Sequence, residues 1–115
     1  MTYNYNEVFE ASKEYFKGDE LAARVWATKY ALKDAQGVYY ERTPDDMHWR
    51  LAKEIARIEQ KYKNPMNEQS LFDLMKNFRY IVPQGIPMSG LGSNKQLGSL
   101  SNCFVFGLYG EPFSY

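Results

Sequence analysis

Few side chains in this sequence are equipped for chemistry. Its single cysteine, Cys103, follows Ser101 and Asn102 and lies beyond a stretch carrying Gly85, Gly90, Gly92 and Gly98. A free cysteine in an apolar run is most often a small buried hydrophobe. Small polar residues and glycines that allow close approach are, on the other hand, what a ligand's phosphate and ribose hydroxyls need. A lone cysteine excludes an internal disulfide framework, so two-cysteine chemistry requires another chain or a further segment.

The other candidates have simpler readings. His48 is the only histidine, stands beside Trp49 and Arg50, and has no second soft ligand for a zinc site, so it reads as a surface or packing residue. Asp45 and Asp46 resemble an acid–base pair, but they fall in a first helical turn, where carboxylates cap and complement the dipole. The stretch from Gly90 to Lys95 suggests a phosphate cradle yet lacks the Gly-Lys-Ser/Thr ending of a Walker loop. Lys53, Arg57, Lys61 and Lys63 form a solvated helix face balanced in part by Glu54 and Glu59.

These residues need elements to position them, and the sequence predicts a mainly α layer. A first helix runs from about Asn6 to Lys17 with Gly18 as its stop, and a second starts at the cap Asp19 and carries Val25, Trp26 and Tyr30 toward Leu32. Together they predict a helical hairpin. Val38 to Glu41 is a short strand candidate. Thr43-Pro44-Asp45-Asp46 then predicts a helix start, with Thr43 capping, Pro44 at the first helical position and Asp46 completing a capping-box-like arrangement. Met47, Leu51, Ile55, Ile58 and Tyr62 continue one apolar face until Lys63-Asn64-Pro65 ends it. A fourth helix from Asn67 buries Leu71, Phe72, Leu74, Met75 and Phe78.

The composition changes near Pro83, beyond which six of the eight glycines lie. Residues 1–79 therefore read as a helical region, and residues 80–115 as a glycine-rich loop followed by one strand. Pro83, Gly85, Pro87 and Gly90 argue against any regular helix between Tyr80 and Ser99. Leu100 to Phe106 predicts a buried strand whose backbone edges need partners: it joins a sheet supplied by another polypeptide, is disordered in this fragment, or packs back on Val38 to Glu41.

Fourteen basic and fourteen acidic residues give zero formal net charge, which removes any global argument for binding nucleic acid or an anionic membrane. No secretory signal and no apolar run of roughly 18 residues is present, so a cytoplasmic protein is expected.

Several segments, in order, resemble one family, the large subunits of aerobic ribonucleotide reductases. Leu21 to Trp26 with Lys29 to Leu32 resembles the family's early helix, and Glu41 to Met47 its helix start. Pro87-Met88-Ser89-Gly90 resembles its substrate loop, and Ser99 to Val105 its first barrel strand. The resemblance implies a helical layer preceding a ten-stranded α/β barrel, with this chain covering that layer and one barrel strand. It implies removal of the ribose 2′-hydroxyl by radical chemistry, with Cys103 as one of a reducing cysteine pair. The partner cysteine and the thiyl cysteine belong to later segments, so the chain alone is expected to be inactive. Ser101, Asn102 and the position of Ile86 are the implied substrate contacts.

The resemblance also implies no cofactor held by this chain itself. The parent enzyme would use adenosylcobalamin or a metal-containing radical-generating subunit, with thioredoxin or glutaredoxin as reductant. Its expected partners are a ribonucleotide and the remaining C-terminal part of the reductase, without direct nucleic-acid contact or membrane attachment. No ATP-binding cone is expected. Two positions depart from the family: Ile86 stands where Ser or Thr is common, and Phe113 where an acidic residue serves the specificity nucleotide. A helical interaction module derived from a reductase, without catalysis, would tolerate both; an unrelated small helical adaptor is a third reading.

Overall fold

The computed structural model describes residues 1–95, 98–101, 103 and 105. Among them run α1 (Tyr5–Tyr15), α2 (Glu20–Lys29), α3 (Pro44–Glu59), α4 (Glu68–Met75), a 3-10 turn (Lys76–Phe78) and α5 (Gly85–Gly90). The fold is mainly α, as the periodicity predicts. α1 packs on α2 as a hairpin, and α3 packs along α4.

Local chemistry explains the helix starts. Asn4 accepts from the Glu7 N–H at 3.0 Å while Glu7 accepts from the Asn4 N–H at 2.8 Å, a complete capping box that starts α1 earlier than expected. At the other end Gly18 adopts φ +91 and its N–H returns to the Lys13 carbonyl, closing the helix as its position predicts. Asp19 caps α2 through the Ala22 N–H at 3.0 Å.

At α3 the outcome differs in detail. Pro44 occupies the first turn, but the Thr43 side chain makes no cap bond. Asp46 instead accepts from the Arg42 N–H at 2.8 Å, one residue upstream of the expected capping-box partner. α3 ends at Glu59, before Lys63-Asn64-Pro65, and Tyr62, expected on the buried face, is 64% exposed.

The core forms where the hairpin meets α3 and α4, with Val8, Trp26, Ala27, Met47, Leu51, Ala52, Leu71 and Met75 buried. The Trp26 indole N–H donates to the Met47 sulfur at 3.3 Å, tying α2 to α3. Ser12 of α1, also buried, donates to the Arg42 carbonyl.

His48 is a packing residue, fully buried, with its ring edge-on to Phe78 at 4.7 Å between centroids. Neither ring nitrogen has a hydrogen-bond partner. Burial disfavours the charged imidazolium and pushes its pKa down from 6.5 to about 4. Above pH 6.5 both folded and unfolded His48 are neutral. As pH falls toward 4 only the unfolded form gains the proton, and stability is lost across that window. The loss is roughly 3 kcal/mol at most. His48→Phe should remove this component, so that the difference between the variant and the parent in urea-unfolding free energy grows as pH falls from 6.5 to 4. A pH-independent difference would show that His48 is not the group titrating there.

α4 leads into a strained corner. Asn77 and Phe78 adopt φ +57 and +53, a left-handed conformation that costs a non-glycine residue about 1 kcal/mol or more. Aromatic packing holds it: Phe78 stacks on Phe16 at 6.1 Å and meets Tyr15 edge-on, and the Tyr15 hydroxyl accepts the Asn77 N–H at 3.1 Å. The corner directs the chain into residues 79–84 and so toward α5.

The Val38 to Glu41 stretch pairs only as isolated bridges, Tyr39 with Tyr3 on one side and with Lys33 on the other. Among the described residues Tyr39 is thus bridged on both sides, and none of residues 100, 101, 103 and 105 of the expected strand bridges to this stretch. Of that strand, Asn102, Phe104 and Phe106 lie outside the described residues. Leu100, Ser101, Cys103 and Val105 are exposed and in no regular element, not buried as expected. A strand is buried and paired only when a sheet is supplied, and the described residues supply none.

α5 corrects the expectation of a helix-free loop. Proline is tolerated in a first turn because its missing N–H would have no intrahelical partner there, and Pro87 is the third residue of α5. The helix lasts six residues, and its C-terminal carbonyls find a partner elsewhere in the fold, described next.

Candidate functional site

The 85–92 segment is seated by two close approaches and one charged cluster. At Gly85 a Cβ would lie 3.1 Å from the Tyr30 ring; at Gly92, where φ is +75, it would meet the Arg50 Cγ, the Arg50 carbonyl and the Glu54 Cβ at 3.2 to 3.3 Å. Gly92 therefore serves both the left-handed turn and the approach to α3.

Between these points Arg50 of α3 reaches the loop. Its guanidinium donates from Nη2 to the Met88 carbonyl and from Nη1 to the Leu91 carbonyl, at the C-terminal end of α5. Its Nε donates to Glu41 Oε2 at 2.9 Å, and Glu41 Oε1 also accepts the Leu32 N–H at 2.7 Å. The ion pair is nearly inaccessible, with side-chain exposures of 9% and 4%. Removing one partner from such a pair is costly because the other charge is left buried alone.

The loop walls one side of a cavity of about 680 Å³. The loop contributes Ile86 and Ser89 to Gly92, the end of α2 and the turn after it contribute Lys29 and Ala31 to Ala35, and the remaining lining includes Ser93, Lys95 and Leu100. Three lysines and three serines, counting Ser99, thus line one space with the apolar Ile86, Leu91 and Leu100. Asp34 is the acidic residue of this lining, and its carboxylate is occupied by the Val38 and Gln36 N–H groups and the Tyr40 hydroxyl. The Val38 N–H foremost holds its pKa below the ordinary carboxylate value. Lys33 donates to the Thr28 carbonyl at 2.9 Å, and burial lowers its pKa. Lys95 lies 4.1 Å above the Tyr40 ring. The cavity is shaped and charged to take an anion with an apolar portion.

The structure distributes the sequence-derived residues unevenly. Ile86 is on the cavity wall and 38% exposed, offering a hydrocarbon surface. Ser101 and Cys103 are exposed and follow Leu100, the last lining residue, while Asn102 lies outside the described residues. Lys29, Lys33, Glu41 and Arg50 were not singled out from sequence as site residues. Arg50 carried no local signal: it stands three residues before Lys53 and seven before Arg57, so helical spacing places it on the same basic face, and only its contacts with Glu41 and the loop set it apart.

Residues 16–95, more than half of the chain, match the family described as "Ribonucleotide reductase, all-alpha domain". The chain belongs to this ribonucleotide reductase family. The matched stretch includes α2 to α5, the Glu41–Arg50 pair and nearly all of the cavity wall, and it stops before Ser101 and Cys103. No curated protein and no solved structure matches the chain. Among the described residues, no helix is long and apolar enough to cross a membrane.

Proposed function

We propose that this chain is the N-terminal part of a ribonucleotide reductase catalytic subunit of the aerobic type, inactive by itself, which completes a substrate site with the rest of the barrel. The observation that carries the proposal is the family match over residues 16–95, which includes a loop seated beside a cationic, partly apolar cavity. A ribonucleotide presents a polyanion and an apolar base, and that combination suits Lys29, Lys33 and Lys95 facing Ile86 and Leu91.

In the proposed reaction, the ribonucleotide and two thiols yield the deoxyribonucleotide, a disulfide and water. Cys103 is one of the two thiols; the chain contains a single cysteine, so the other must come from the remaining segment. The radical that starts the reaction would come from adenosylcobalamin or from a metal-containing partner subunit. Ser101 and Asn102 contact the nucleotide, and Ile86 packs against it. Thioredoxin or glutaredoxin restores the dithiol, and the setting is the cytoplasm. Ile86 also favours a second reading, a reductase-derived module that binds the barrel without contributing to turnover, since the hydroxyl common at that position is gone.

The test is reconstitution. The chain, mixed with a polypeptide supplying the remaining barrel, a radical source, a ribonucleotide and a dithiol, should form deoxyribonucleotide only when both polypeptides are present. Association without product would support the interaction module instead. A downstream reading frame encoding further barrel strands and cysteines is the corresponding genomic expectation.

A further inference from the structure

We infer that the Glu41–Arg50 pair is a backbone clamp that creates α5 and sets the width of the cavity, making Arg50 a positioning residue for the substrate loop. The role in turnover rests on the proposed function; the clamp itself does not.

α5 has little reason to form unaided. Six residues of sequence Gly-Ile-Pro-Met-Ser-Gly include two glycines and a proline, and isolated helices of that length are unstable in water. Its last carbonyls would also be orphaned, as at any helix end. Arg50 corrects both deficits at once: the fork of the guanidinium binds the Met88 and Leu91 carbonyls, and its positive charge sits at the negative end of the helix. The Arg50 side chain that makes these bonds is itself only 9% exposed.

The clamp extends to the opposite wall. Glu41 holds Arg50 with both carboxylate oxygens, and Oε1 also accepts the N–H of Leu32, which belongs to the turn that lines the cavity with α5. One buried carboxylate and one buried guanidinium thus fix both walls, at Leu32 on one side and at Met88 and Leu91 on the other. The spacing between the lysines and the loop is set by this pair, although neither member needs to touch a ligand. Lys would be a poor substitute for Arg50, since a single ammonium cannot span two carbonyls and a carboxylate in one plane.

The experiment is amide hydrogen exchange on the full chain. In Arg50→Met, the α5 amides of Met88 and Leu91, which bond the Gln84 and Pro87 carbonyls, should exchange at least about tenfold faster, with Ala27 and Leu51 unchanged. Arg50→Lys should show the same local loosening to a smaller degree, and it carries the decision if Arg50→Met does not fold. Parent-like exchange at Met88 and Leu91 in a folded variant overturns the clamp.

In the reconstituted enzyme, Arg50→Lys should raise KM for the ribonucleotide about tenfold while kcat stays within about twofold. A general folding defect would instead lower the active fraction, and with it kcat, at constant KM, and that result also overturns the positioning role. If the parent chain gives no turnover at all, the proposed function fails while the exchange data still decide the clamp.

Discussion

Cys103→Ser should abolish multiple turnover in the reconstituted enzyme while leaving the fold intact. Serine is nearly the same size as cysteine, but its hydroxyl cannot form a disulfide, so it cannot give up the electrons that the C–O reduction consumes. With a dithiol reductant, steady-state product formation should fall at least about a hundredfold, equivalent to roughly 2.7 kcal/mol of barrier. Because Cys103 is exposed, its replacement should shift the unfolding free energy by no more than about 0.5 kcal/mol. Those two measurements separate the chemical role from the packing role that a lone cysteine in an apolar run would otherwise have. Undiminished turnover with the dithiol would remove Cys103 from the reducing pair.

Trp26→Ala should be the most damaging single change to stability. Trp26 is 2% exposed, joins α2 to α3 through its indole N–H and the Met47 sulfur, and sits among Ala27, Leu51 and Ala52. Truncating a buried tryptophan costs about 3–5 kcal/mol, through lost transfer energy and the cavity left behind. A domain with a total of about 5–15 kcal/mol would keep little cooperativity. Trp26→Phe retains most of the ring and loses the N–H bond, so it should cost less than about 2 kcal/mol. Urea unfolding followed by far-ultraviolet circular dichroism compares the two. Equal losses would mean that the indole N–H, and not the volume of the ring, joins the helices.

The hairpin, α3 and α4 were legible because their signals are local. Asp19, Gly18 and Pro44 act within one turn of their own position, and the apolar spacing of Met47, Leu51 and Ile55 needs no distant partner. What escaped the sequence depends on contacts made far along the chain. α5 exists beside Arg50, 38 residues before Met88, and its composition alone argues against a helix. The left-handed corner at Asn77 and Phe78 has no glycine to announce it and depends on Tyr15, the last residue of α1, and on Phe16 just after it. α3 ends earlier than its apolar spacing predicts, because Tyr62 keeps the helical spacing but finds no surface to cover it. Of the site, Ser101, Asn102 and Cys103 stand out by residue type and take their expected roles from resemblance, while Ile86 comes from resemblance alone. The cationic wall at Lys29 and Lys33 was hidden because its members read as an ordinary turn.

Arg50 grips the loop only through the carbonyls of Met88 and Leu91. Every amino acid presents the same carbonyl, so this mount is indifferent to the side chains it carries. The exposed positions of the loop, Ile86 and Ser89, are therefore free to diverge in character while the loop keeps its place, whereas Met88 and Leu91 are also tied to the core through their side chains. A designer could re-letter those exposed positions of the cavity wall for a different ligand, provided that Gly85, Met88, Leu91, Gly92, Glu41 and Arg50 are left alone.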